Sequence, residues 1–170
     1  KDPLSFRGVR EYTPDDPFSR IEWKSTARTG VLQVRRLDAS FAREVVVFLD
    51  VSSVERVWEG IRKEVVERAI VVGASLLRRA FDSGFRFGVY SNSVIPGRPG
   101  PAGLGAGSGP DHFLLCMNLL GRLVDVPAYR PEAVLGKVAG RHDRGEIIVV
   151  TGVCSHELLM QVDRLRSSGK

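Results

Sequence analysis

Two runs constrain this chain more than anything else in it. "EVVVFLD" (44–50) and "GEIIVVTG" (145–152) are continuous, apolar and rich in β-branched residues. Neither alternates apolar with polar, so neither describes a strand with one wet face. Each fits a strand covered on both faces, as in a parallel sheet. "FRFGVYSN" (85–92) sets Phe85, Phe87 and Val89 against Arg86, Gly88 and Tyr90 and reads as a third strand. "VLQVRRL" (31–37) is a fourth, more polar and nearer an edge.

Helical patterns separate these runs. Ile61, Val65, Ala69, Val72, Leu76 and Ala80 recur three and four apart and give one apolar stripe, with Gly84 as its C-cap. Pro110 and Asp111 open a helix over "PDHFLLCMNLLGRL", since proline suits the first helical position and a carboxylate the first turn. "RPEAVLGKVAG" is a shorter helix. "SHELLMQVDRLRSSG" is another, with Ser155 as N-cap and Gly169 at its end. Strand and helix in alternation predict an α/β fold, a mostly parallel sheet with helices on both faces. The last helix runs to the end of the sequence with no strand after it, so at least one closing strand is expected to be cut off or absent. The Gly/Pro-rich stretch "PGRPGPAGLGAGSGP" (96–110) is expected to be a flexible surface loop; it lacks the lysine and spacing of a phosphate loop.

In an open α/β sheet, ligands gather outside the carboxyl ends of the strands. Asp50 ends one strand, Thr151 ends another, Ser52 follows Asp50 by two, and Ser108 precedes a helix. All four are oxygen donors of the kind a hard cation takes. Only one is a carboxylate, however, and Mg²⁺ gives up its water reluctantly. The expectation is therefore no cofactor, with Asp50 capping the following helix. The alternative is weak Mg²⁺-dependent ligand binding at Asp50, Ser52, Ser108 and Thr151.

Other features exclude more than they assign. A net charge of +5, from 25 basic and 20 acidic residues, is too mild to argue for nucleic acid, and no strand interleaves aromatics with cations. No apolar run approaches the roughly 18 residues of a membrane span. Cys116 and Cys154 form no CxxC and read as reduced, buried thiols. His112, His142 and His156 have no metal-ligand spacing and are expected at helix ends or in solvent. No Gly-x-Ser-x-Gly elbow occurs, so no catalytic residue is assigned and a binding module is expected rather than an enzyme. A hydrolase of unknown chemistry, using Ser52 or Ser53, is a further alternative.

In the N-terminal stretch, Arg20, Lys24 and Arg28 recur every four residues after Ser19, a candidate N-cap. On one helix they place three cations on a face beside Trp23. That is a docking surface for an acidic partner, of the residue types that dominate interfaces. The competing expectation packs Trp23 on the sheet and pairs Arg20 with Asp16.

The segment "GVREYTPDDPFSRIEWKSTAR" from Gly8 to Arg28 closely resembles the pattern GxReYxPGDxxRxIxWxxSAR of a bacterial family called domain of unknown function fifty-eight. Asp15 stands where the pattern has glycine and Thr26 where it has serine. That family is a branch of the von Willebrand factor A-like fold, whose metal-ion-dependent adhesion site begins Asp-x-Ser-x-Ser. Asp50 and Ser52 resemble its first two positions, but Val54 replaces the last serine, and Thr151 is followed by Gly152 where an aspartate is usual. The resemblance implies a Rossmann-like domain over 41–170, with an N-terminal motif segment over 1–40 packed on it, and a degenerate metal site. It also implies a protein-binding adaptor that works with a MoxR-type AAA+ ATPase in protein maturation or assembly. The parent protein would carry membrane helices and present this domain at the cytoplasmic face.

Overall fold

The computed structural model describes residues 6–14, 16–37, 43–54, 60–142 and 145–168. The chain forms two compact units, residues 1–42 and 43–170. The expected boundary after residue 40 lies outside the described residues, as does Gly169.

The larger unit is built on the two apolar runs. β3 (Glu44–Asp50) is buried along nearly its whole length. It pairs in parallel with β4 (Arg86–Ser91) on one side and β6 (Glu146–Thr151) on the other. β5 (Gly103–Gly107) completes the order β5-β4-β3-β6 and runs antiparallel to β4. Alternate residues of β3 feed two cores. Val45, Val47 and Leu49 pack against α2 (Lys63–Asp82) and α3 (Pro110–Leu120), whereas Val46 and Phe48 pack against α4 (Pro131–Arg141) and α5 (His156–Ser167). A mostly parallel sheet with helices on both faces is the expected architecture. Among the described residues, nothing pairs with the outer edge of β6, and no helix is long and apolar enough to cross a membrane.

Helix ends follow local chemistry. Pro110 begins α3, Ser155 Oγ accepts from Leu158 N–H at 3.2 Å at the start of α5, and Gly84 follows α2 with φ +70°. The α2 stripe differs from expectation. Its buried residues are Val66, Ala69, Gly73, Leu77 and Ala80, while Val72 is exposed and Ile61 lies before the helix. Val65 and Leu76 are only half-buried. The helix turns Gly73 to the sheet, close to Val47 and Leu49, and a period count cannot tell a glycine that permits approach from one that interrupts a face.

The Gly/Pro-rich stretch is not simply a loop, because it contains β5. Tyr90 lies opposite Gly103, where any Cβ would run into the Tyr90 ring. A Gly-x-Gly-x-Gly strand passes where bulkier residues could not. Tyr90 OH is 3.1 Å from His142 Nε2, and His142 Nδ1 is 2.5 Å from Glu44 Oε1. His142 thus fastens the end of α4 to two strands. Cys116 is buried in the first core, where desolvation pushes its thiol up to about 11. Cys154 is exposed, contrary to expectation, because it lies in the loop between β6 and α5.

Two glycines test this packing. A Cβ at Gly88 would lie within 3 Å of the β5 backbone, whereas one at Gly140, near the end of α4, meets open space. Urea unfolding should show Gly88→Ala destabilised by about 2 kcal/mol. Gly140→Ala should be stabilised by about 0.5–1 kcal/mol, since alanine favours the helix.

Candidate functional site

Register assembles the site. Asp50, the last residue of β3, pairs with Thr151, the last of β6. On the other side Leu49 pairs with Ser91, which sets Asn92 level with Asp50. Three strand ends thus deliver a carboxylate, an amide and a hydroxyl to one spot on the sheet rim. Asp50 is 1% exposed and Asn92 is fully buried.

A charge held that deep requires donors. Asp50 Oδ1 accepts from Ser52 N–H at 2.9 Å and from Asn92 Nδ2 at 2.7 Å. Its Oδ2 accepts from the Thr151 hydroxyl at 2.8 Å. That hydroxyl also lies 2.6 Å from the Val153 carbonyl and accepts from Val153 N–H at 3.1 Å. Asn92 Oδ1 accepts from Val51 N–H at 2.9 Å. The Asp50 bond to Ser52 N–H closes an Asx-type turn. It does not cap α2; Ser53 Oγ instead accepts from Arg62 N–H, just before that helix.

The four expected metal-site residues divide. Asp50, Ser52 and Thr151 come together, and Ser108 does not. Ser108 follows antiparallel β5, whose end is level with Phe87, five residues back along β4 from Asn92. At strand rise this puts it roughly 16 Å away, toward the opposite rim. The sequence groups Ser108 with Asp50, Ser52 and Thr151, and the structure separates it from them because β5 is antiparallel. The segment that arrives at the Asp50 rim is 121–130, since Ala128 and Tyr129 N–H both donate to the Asn92 carbonyl at 3.0 Å.

These residues do not fit a divalent cation. Both Asp50 oxygens already accept hydrogen bonds, and the Asn92 amide nitrogen lies 2.7 Å from Asp50 Oδ1 and 3.4 Å from Ser52 Oγ. An ion bonded to both of those oxygens competes with an N–H donor for the same space. Val54 supplies no oxygen from its side chain. Among the described residues, no three His, Cys, Asp or Glu side chains gather as a metal site. Ser52 Oγ accepts from Asn92 Nδ2 and Ser53 Oγ from Arg62 N–H. Asn92 was legible only as the polar end of a strand; its role needed the register.

Beside Asp50 opens a groove of about 830 Å³, with Val54, Ile61, Val126, Tyr129 and Val153 among its apolar lining and Arg130, Glu132 and Glu157 among its charged lining.

In the smaller unit, β1 (Phe6–Glu11) pairs antiparallel with β2 (Gln33–Leu37), separately from the main sheet. A short 3-10 turn (Phe18–Arg20) precedes α1 (Trp23–Thr29), whose N-cap is Glu22 rather than Ser19. Arg20 therefore does not share a helix with Lys24 and Arg28, which lie one turn apart on α1. Asp16 pairs with Arg10, not Arg20, through Arg10 Nη1 at 2.7 Å and Nη2 at 2.5 Å, and it also accepts from Thr13 N–H at 3.0 Å. The Arg10 hydrogen bonds, then Thr13, hold the Asp16 carboxyl well below the usual carboxylate range. Trp23 does not pack on a core: it is 65% exposed and Phe18 69%.

A family model described as "Protein of unknown function DUF58" matches residues 8–108. No curated protein and no solved structure matches the chain.

The Arg10–Asp16 pair gives a pH test. A lowered folded-state value means its contribution is complete above the unfolded aspartate value near ~4 and is lost as pH falls below that. Followed through the amide signals of β1 and β2, Asp16→Asn should flatten the acid dependence of the smaller unit. Arg10→Ala should weaken that unit at neutral pH, and Arg20→Ala should do neither.

Proposed function

The chain belongs to the DUF58 family, and we propose that it works within that family as a non-enzymatic protein-binding module. The observation that carries this reading is the surface of the smaller unit. Trp23 and Phe18 stand in solvent, with Lys24 and Arg28 exposed on the same short helix as Trp23. Tryptophan is among the residue types that concentrate binding energy when covered. Two cations beside it suit a partner with carboxylates at the rim of its contact. Arg20, expected as a third cation of this face, lies in the separate turn before the helix, and the proposal rests on Trp23, Lys24 and Arg28.

The partner we propose is a MoxR-type AAA+ ATPase, and the work is maturation or assembly of other proteins. The sequence resemblance over Gly8–Arg28 supports this choice, and that segment contains the exposed face. A von Willebrand factor A-like identity for the larger unit is part of the same proposal. It is supported by Asp50-x-Ser52 at the end of a central parallel strand and by the antiparallel edge strand β5. A membrane-tethered parent, with this domain at the cytoplasmic face, is proposed on the resemblance alone.

The test is capture of the ATPase by immobilised chain. Trp23→Ala should weaken capture about 30-fold. The Lys24→Glu/Arg28→Glu double variant should weaken it about tenfold, with the loss shrinking at high salt. Circular dichroism must show both variants folded. Undiminished capture by folded variants would remove this surface from the proposal.

A further inference from the structure

We infer that the Asn92 carboxamide stands in for a divalent cation at the sheet rim, supplying the positive pole that Asp50 needs and making the rim metal-independent. The inference is separate from the adaptor reading, which rests on the other unit.

Three observations carry it. First, the amide orientation is fixed from both ends. Asn92 Oδ1 accepts from Val51 N–H, so Nδ2 faces Asp50. Turned over, the amide would set its oxygen against a carboxylate and its NH₂ against an N–H. Second, Asn92 Nδ2 sits between the two groups a rim cation would bridge, the Asp50 carboxylate and the Ser52 hydroxyl. An N–H dipole there meets part of the electrostatic need that an ion would meet, without the dehydration that Mg²⁺ resists. Third, Asn92 is a hub. Its side chain holds the turn after β3 through Asp50 and Val51, and its backbone carbonyl holds the 121–130 loop through Ala128 and Tyr129. Asp50 adds the end of β6 through Thr151. One buried amide thus links the loops that wall the 830 Å³ groove, and they keep one arrangement with or without an ion.

A cation-bridged rim recognises its ligand through an open coordination position. A rim closed by an amide has none to offer, so whatever enters the groove must bind through its side walls. Such binding is insensitive to chelators.

Thermal melts in EDTA and in millimolar Mg²⁺ or Mn²⁺ test this. The unchanged protein should melt at the same temperature in all three. Asn92→Asp replaces the donor with a second carboxylate facing Asp50. It should melt about 5–10 °C lower in EDTA and recover most of the loss with Mn²⁺ or Mg²⁺. Should Asn92→Asp fail to fold, Asn92→Ser carries the same test: it removes the N–H donor, leaves a small oxygen ligand and should gain a smaller ion-dependent rise. A purely structural asparagine predicts a loss in both variants that no ion restores, and that result overturns the inference. So does a rise with Mg²⁺ in the unchanged protein that Asp50→Asn abolishes.

Discussion

A carboxylate with almost no access to water sits at the end of the central strand, and much of the larger unit is arranged around its needs. Asp50 cannot remain charged there without donors. They come from its own turn, from the end of β4 and from the end of β6. For those donors to meet, the three strands must be parallel, adjacent and in one register. That arrangement in turn requires crossover helices on both faces. The hydrogen bonds at the rim and the topology of the sheet are therefore one constraint seen at two scales.

The same network occupies the rim's oxygens. Carboxylate and hydroxyl ends in an α/β rim invite a metal reading, but oxygens already engaged by N–H and O–H donors are poor ligands. Chemical type nominates a residue and hydrogen-bond occupancy decides its use. Removing one donor would strand a buried charge, which costs more than the donor's net worth. That asymmetry ties Asn92, Ser52 and Thr151 to Asp50 as a set.

The smaller unit follows opposite rules. Its ion pair, Arg10 with Asp16, lies near the surface and fixes a turn, and its aromatic residues Phe18 and Trp23 face outward. A unit of about 40 residues has little interior in which to hide a tryptophan. Exposure there is an economy of size, and the exposed surface is the one on which the proposed binding rests.

By itself the sequence determined that the two uninterrupted Val and Ile runs become strands; β3 is buried on both faces as expected, whereas β6, with nothing paired to its outer edge among the described residues, is only half-buried. It also determined helix starts at Pro110 and Ser155, where capping is a matter of a few neighbouring residues, and the family, through the Gly8–Arg28 pattern. It nominated Asp50, Ser52 and Thr151 correctly as neighbours, since each lies at or just after the carboxyl end of a strand. Only the tertiary structure decided the rest. The strand hidden among glycines at 103–107 reversed direction and carried Ser108 to the other rim. Asn92 became the partner of Asp50 although 42 positions separate them. Asp16 took Arg10 over Arg20, and α2 turned Gly73 inward. The common reason is range: capping and two-sided burial are set by residues close in sequence or by composition, whereas strand direction, register and the choice of a charge's partner depend on segments that meet only after the chain has folded.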